Sequence, residues 1–337
     1  MKVDSFDIGK EVLVIAEIGN NHEGSFTLAE EMIGLAADAG VGAVKFQTIV
    51  PTKLVSVSET ERIKQLSRFQ FTYEQFEKLA QTAQKAGLMF LSTPFDIESA
   101  AILDRFVPAF KISSGDNNFY PLLEVIAGTG KPVIMSTGLT DMTGVAYSKA
   151  FIENIWREQN IVQDIAILHC VSSYPVGPEQ VNLQAINTLK QLGCTVGYSD
   201  HTLGIDASLF AVALGARIIE KHFTKDKNYS SFRDHQLSAD PQEMTELVKR
   251  IKELAVLLGS EAKELQTCEE AALLSMRRSI VADRDISKGS FLTINDITWV
   301  RPGSGLSPGQ ECRILGRQLN RSVKRGEQLL FEDFEDL

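Results

Sequence analysis

Apolar, β-branched runs of six to nine residues recur along the first 260 positions, separated by stretches whose apolar residues keep the three-to-four spacing of a helix. The runs are VLVIAEIG (12–19), AVKFQT (43–48), LMFLSTPF (88–95), AFKISSG (109–115), PVIMSTG (132–138), IAILHCVSS (165–173), TVGYSDH (195–201) and RIIEKHFT (217–224). Helix-period segments such as 26–40 and 73–87 stop on Gly40 and Gly87, and Gly130 and Gly193 fall at similar places. Asp240-Pro241 reads as an N-cap followed by proline in the first helical position, which predicts a last helix over 241–258. Eight strand–helix pairs in about 260 residues predict an α/β chain of the (β/α)8, or TIM-barrel, type. A doubly wound open sheet has the same rhythm. It would scatter the polar strand ends along one edge, whereas a barrel gathers them into a ring.

The pattern changes beyond residue 260. Short strand-like runs are broken by Lys288-Gly289, Pro302-Gly303, Pro308-Gly309 and Arg325-Gly326. We therefore expect a catalytic barrel over 1–260, a linker over 261–275 and a small β-rich domain over 276–337. A domain of that size has little core of its own, so it is expected to dock on something.

Composition narrows the class. Of 337 residues, 44% are hydrophobic and 23% charged, close to an ordinary globular protein, and no apolar run approaches the length of a membrane helix. The first residues are too polar for a signal peptide. Cys170, Cys194, Cys268 and Cys312 lie far apart with no C-x-x-C pair, so the expectation is a cytoplasmic protein with reduced thiols. The net charge of −10 disfavours nucleic acid as a partner, and nothing points to a membrane partner. Most of that charge lies before residue 276, so an anionic ligand there needs a local cluster of cations or N–H groups.

Such a cluster stands at the strand ends, where this fold does its chemistry. These ends carry Glu17, Lys45, Gln47, Thr93, Lys111, Ser113, Ser114, Ser136, His169, Ser199, Asp200, His201, Glu220, Lys221 and His222. Polar groups set in apolar strands are costly unless paired, so a dozen on one rim signal a site. His201 and His222 end consecutive strands and can converge on one divalent metal. With no third His or Cys at a suitable spacing, an open Mn²⁺ or Mg²⁺ shell fits better than tetrahedral zinc. Lys45 and Lys111 can flank one anionic group, with hydroxyls from 113–115 and 136–138 suited to phosphate oxygens; either lysine could instead be a Schiff-base nucleophile. His169 reads as a core hydrogen-bonder, Cys170 as packing on the opposite face, and His22 as either a cap or a lining residue.

The motifs AEIGNNHEG (16–24), VKFQT (44–48), LSTPFD (91–96), FKISSGD (110–116), MSTGL (135–139), LHCVSSYP (168–175), GYSDHT (197–202), EKHFT (220–224) and RPGSG (301–305) occur in order. Together they resemble the sialic acid synthase family, whose members condense phosphoenolpyruvate with N-acetylmannosamine or a related amino sugar. The C-terminal segment resembles the antifreeze-like (SAF) domain that ends those enzymes. The resemblance implies that His201 and His222 hold the metal. It implies that Lys45, Lys111, Thr93, Ser114 and Ser136 bind phosphoenolpyruvate, with Glu17 and Gln47 beside the reacting centre. Tyr174, Asp200, Asp234 and, from the small domain, Arg301 would contact or position the acceptor, in a domain-swapped homodimer. Ser199 and Asp116 complete the expected substrate-binding set, Asp116 standing where bacterial N-acetylneuraminate synthases tend to carry Glu.

The 49–72 connection is shorter than in typical members and holds Arg62, Lys64 and Arg68, either a solvated helix face or a clamp on an anionic substituent. Residues 225–239 add Arg233 and His235. The acceptor is therefore open among N-acetylmannosamine, its 6-phosphate and 2,4-diacetamido sugars. Other readings are the same chemistry on another aldose, as in deoxy-sugar-acid synthases, and a non-catalytic sugar-binding homologue.

Overall fold

A computed structural model describes residues 1–335; the last two positions assigned to the small domain, 336 and 337, lie outside the described residues. The chain forms two compact units, Met1–Gly259 and a second beginning at Ser260. The first opens with a feature the sequence pattern does not announce, a short antiparallel hairpin of β1 (Lys2–Val3) and β2 (Phe6–Asp7). The eight expected strands follow: β3 (Leu13–Gly19), β4 (Ala43–Thr48), β5 (Met89–Pro94), β6 (Phe110–Ile112), β7 (Val133–Ser136), β8 (Ile165–Cys170), β9 (Thr195–Asp200) and β10 (Ile218–His222). They form one sheet in the order β5-β4-β3-β10-β9-β8-β7-β6. Every ladder is parallel, and β5 and β6 lie side by side, so the sheet curls into a nearly closed TIM-type barrel.

The connecting helices start where side chains cap them. Ser25 accepts the Leu28 N–H at the head of α1 (Phe26–Asp38). The 49–72 connection is not bare loop but holds α2 (Pro51–Leu54) and α3 (Thr60–Ser67). Capping boxes open α4 (Tyr73–Lys85), through Thr72 and Gln75, and the helix Pro241–Leu258, through Asp240 and Glu243. Gly40 and Gly87 follow their helices at φ +80° and +78°, a left-handed turn that other residues rarely adopt.

Strand residues alternate between two faces, and that period of two sorts the barrel. Outward positions such as Val14, Val44, Phe90, Phe110, Met135, Ile167, Val196 and Ile219 join the large core beneath the helices. Inward positions low in the barrel, among them Leu13, Ile15, Ala43, Leu91, Ala109, Ile134, Ala166, Leu168 and Ile218, pack with Val3 and Ile8 of the hairpin, which lies across the barrel floor. Two residues further along the same strands, the inward positions become Glu17, Lys45, Thr93, Lys111, Ser136, Cys170, Ser199 and Glu220.

The second unit contains the expected small β domain. Strands β11 (Ser279–Ala282) and β12 (Ile297–Val300) pair antiparallel, and single bridges such as Ile286–Val323 and Leu319–Phe334 extend the fold. It has a core of its own, centred on Ile280, Ile286, Leu292, Ile314, Leu319, Leu329 and Phe334. The segment expected as linker, 261–275, is partly helical, running into the helix Glu270–Met276. Among the described residues no helix is long and apolar enough to cross a membrane.

Candidate active site

The polar inward layer lines a cavity of about 450 Å³ at the C-terminal ends of the strands. At its base two carboxylates and two ammonium groups form a chain. Lys45 Nζ lies 2.7 Å from Glu17 Oε2 and 3.7 Å from Glu220 Oε1, and Lys111 Nζ lies 3.6 Å from the same Glu220 oxygen. The short Lys45–Glu17 contact is an ion pair poorly aligned as a hydrogen bond, since Glu17 Oε2 has no donor aimed at it. Hydroxyls complete the ring: Lys45 donates to Thr93 Oγ1 at 3.2 Å, Lys111 to Ser136 Oγ at 2.7 Å, and Ser199 Oγ to Glu220 Oε1 at 3.2 Å. Glu17 Oε1 accepts from Gln47 Nε2 at 2.9 Å, and Asn20 Nδ2 donates to Gln47 Oε1 at 3.1 Å. Gly19 leaves room for that pair, because a Cβ there would stand 3.0 Å from Glu17 Oε1 and 3.2 Å from Gln47 Nε2.

Burial acts differently on the two carboxylates. It pushes both upward, but Glu220 faces both Lys111 and Lys45, whose charges outweigh burial and hold it below the usual range. Glu17 has Lys45 alone and the repulsion of Glu220 beside it, so burial wins and its carboxyl is raised. Lys45 is pulled down by burial but lifted more by Glu17 and Glu220. Lys111 is lowered, since burial exceeds what Glu220 returns. Two carboxyls driven apart in this way suit separate tasks, one as a fixed charge and one as a proton carrier.

His201 and His222 meet on the same wall, their ring centroids 5.5 Å apart. His201 Nδ1 sits 2.9 Å from the Val171 carbonyl, which turns its other nitrogen toward the cavity. His222 Nδ1 is buried with no hydrogen-bond partner. Burial first, and then His201, hold His222 well below the usual histidine range, so it stays neutral, as a ligand nitrogen must. These two imidazoles fit a divalent cation with an open shell. Among the described residues no group of three or more His, Cys, Asp or Glu side chains is placed to hold one.

Of the other expected residues, Ser114, Tyr174 and Asp234 also line the cavity. Ser114 Oγ accepts the Gly138 N–H at 3.0 Å, and the Tyr174 ring packs 4.2 Å from that of His201. Asp200 and Asp116 do not line it. Asp200 is outward by strand parity and wholly buried below the rim. Asp116 takes a hydrogen bond from Ser113, a lining residue, at 2.5 Å. Arg301 belongs to the second unit and is exposed there.

Parity also settles the pair at 169 and 170. His169 faces out and bonds the Val181 carbonyl at 2.7 Å, as expected. Cys170, expected as packing, faces the cavity instead, with Sγ 3.8 Å from His201 Nδ1. His22 accepts the Gly24 N–H and stacks on Phe71 at 4.2 Å, outside the cavity lining. The cations of 49–72 divide. Lys64 pairs with Glu61 at 2.7 Å on an exposed face, while Arg62 lines the cavity mouth beside Phe69, Phe232 and Arg233. Asn20, Phe69 and Phe232 also line the cavity from beyond the strand runs, and Ser172 from the tail of the 165–173 run past the end of β8, places where no period marks a facing.

The NeuB family model matches residues 32–263, and the SAF domain model residues 277–335. The N,N'-diacetyllegionaminic acid synthase of Campylobacter jejuni is 35% identical over 94% of this chain and 98% of its own length. The N-acetylneuraminate-9-phosphate synthase of Homo sapiens is 32% identical over 95% of this chain and 91% of its own. The crystal structure of the N-acetylneuraminic acid synthetase of Leptospira borgpetersenii, in complex with citrate, superposes with a TM-score of 0.73 at 35% identity, covering 78% of this chain and 90% of that one. With its polar ring on a TIM-type barrel and a small β domain after it in the sequence, the chain belongs to the NeuB family, the sialic acid synthase family its motifs resemble, and carries a SAF domain.

Proposed function

We propose that this synthase condenses phosphoenolpyruvate with N-acetylmannosamine or a related amino-sugar aldehyde, giving a nonulosonic acid and phosphate. The observation that carries the reading is the buried Lys45–Glu220–Lys111 array, opening on the same cavity as His201 and His222. Lys45 and Lys111 bring two ammonium groups to one end of the cavity to meet a phosphate and a carboxylate, with Glu220 and Glu17 balancing them in the ring, and Thr93, Ser114 and Ser136 supply donors. His201 and His222 would hold Mn²⁺ or Mg²⁺, whose chemistry is to polarise an aldehyde oxygen that becomes an alkoxide.

The remaining steps fall to the chain. Lys45 and Lys111 fix the enol phosphate so that its C3 meets the aldehyde carbon. As C3 attacks, positive charge develops at C2, beside Glu220 and Glu17. Water adds at C2 and passes one proton to Glu17, whose carboxyl burial raises; that proton goes on to the alkoxide left by the aldehyde, and the remaining C2 hydroxyl proton leaves with the phosphate. Cleavage of the C2–O bond then releases phosphate, its negative charge held by the two lysines. Tyr174, Asp234, Arg62 and Phe232 at the mouth would contact the acceptor. The same reading makes the protein a homodimer in which Arg301 contacts the acceptor, on the strength of the family likeness and the RPGSG motif.

The test is phosphate release from phosphoenolpyruvate with Mn²⁺, against N-acetylmannosamine, its 6-phosphate and 2,4-diacetamido hexoses. Release with one acceptor, abolished by chelator, is expected and names the branch; a phosphorylated acceptor would mark Arg62 as a clamp. No release with any of them overturns the reading.

A further inference from the structure

An acidic and a basic side chain lie in the outward layer of the strands, where most neighbours are apolar. Asp200 and Lys221 are ladder partners on β9 and β10, both essentially unexposed, with Lys221 Nζ 3.2 Å from Asp200 Oδ2. Each is followed directly by one of the two imidazoles. The Asp200 carboxylate also receives the Tyr198 hydroxyl at 3.3 Å, the Thr202 N–H at 2.8 Å and hydroxyl at 2.7 Å, and the Ser208 hydroxyl at 2.6 Å. Lys221 donates in turn to the Thr202 carbonyl at 2.5 Å. The residues on both sides of His201 are thus tied to one carboxylate, and that carboxylate is tied to the residue before His222. Ser208, on the helix Asp206–Ala213, anchors the assembly from outside the barrel.

A buried ion pair of this kind gains little net stability over apolar side chains of similar size, so stability alone does not account for it. Position does. The imidazoles depend on the path of two strand ends, and neither is held by a carboxylate of its own: His201 has a backbone carbonyl and a thiol, and the buried Nδ1 of His222 has nothing. We infer that Asp200 and Lys221 are positioning residues, a brace beneath the rim that sets the separation of His201 and His222 and so the affinity for a divalent cation. The inference rests on the reading of those histidines as the cation site. It gives Asp200 a different task from the acceptor contact implied by the family resemblance.

The test compares Mn²⁺ dissociation constants, read from the electron paramagnetic resonance of free Mn²⁺, and unfolding midpoints for the full chain. The pair variant D200N/K221M removes both charges together and avoids stranding either. We expect cooperative unfolding near the wild-type midpoint with Mn²⁺ bound about 10- to 100-fold more weakly, the size seen when groups orienting metal ligands are removed. A folded pair variant that binds Mn²⁺ as the wild type does overturns the brace. Should the pair variant fail to fold, S208A removes one anchor far from the cavity, and roughly threefold weaker binding is expected; unchanged binding overturns the inference equally. I134V, on the barrel floor, separates bracing from general loosening: it should leave Mn²⁺ affinity unchanged, and a loss like that of S208A sinks the idea. Wild-type protein that binds no Mn²⁺ removes the cation reading itself.

Discussion

The floor and the rim of the barrel are built from the same strands, two residues apart on the same inward face, and they follow opposite rules. At the floor Leu13, Ala43, Ile134, Leu168 and Ile218 interlock with Val3 and Ile8 and leave no polar group to satisfy. At the rim Glu17, Lys45, Lys111, Glu220 and His222 are as deeply buried, yet Glu220 Oε2 and His222 Nδ1 have no hydrogen-bond partner. The floor is satisfied by its own packing, whereas the rim keeps polar atoms that the chain itself does not pair. A fold that places order and chemistry on separate levels can strain the second while the first keeps it assembled.

Substitutions can break this comparison. The largest effect is expected for His222→Ala, which should lower condensation roughly 10³-fold or more while leaving the unfolding transition intact. Wild-type turnover in that variant would remove His222 from the site. Glu17→Gln should lower kcat by about 10²- to 10⁴-fold. It should also flatten the acidic limb of the pH–rate profile, because a base with a raised pKa gains activity as pH climbs through it. At the floor, Leu168→Ala should cost about 2–5 kcal/mol in chemical unfolding with KM for phosphoenolpyruvate retained. A matching loss of substrate affinity would show that the two levels are coupled.

His22 offers a milder probe of burial itself. Burial holds it down to about 3, while the unfolded chain protonates near 6.5. The unfolded state therefore takes up a proton first, and stability should fall as pH drops from about 6.5 toward 3, by up to ~1.4 kcal/mol per pH unit. His22→Gln should make that decline shallower in pH-dependent unfolding. The smallest effect is expected for Arg62→Gln at the exposed mouth, a few-fold rise in acceptor KM, about 0.2–1 kcal/mol, with KM for phosphoenolpyruvate unchanged.

Most of this division is legible in the sequence. The eight runs announce the strands, and polar residues late in each announce the rim. What marks Cys170 as lining, and Asp200 and Lys221 as lying behind the wall, is parity. Counting by twos from Leu13, Ala166, Gly197 and Ile218 reaches Glu17, Cys170, Ser199 and Glu220. Reading strand ends without that count places neighbours on one face. Other features leave no periodic trace. The β1–β2 hairpin is too short for a pattern, and its burial depends on the interior that closes above it. Arg62 reaches the mouth while Lys64, two residues on along the same helix, meets solvent, a choice set by how α3 lies against the barrel.

The hairpin across the floor has a consequence in time rather than in space. A barrel closed below by Val3 and Ile8 is a well with one opening, and the groups suited to phosphoenolpyruvate lie at its bottom, beneath those suited to the sugar. In such a well the order of arrival is dictated by depth. On the proposed reading the enol phosphate would enter first and the aldehyde would lie over it like a stopper, so its departure would have to wait. Steady-state kinetics should accordingly be ordered, with the sugar-acid product leaving before the phosphate trapped below it.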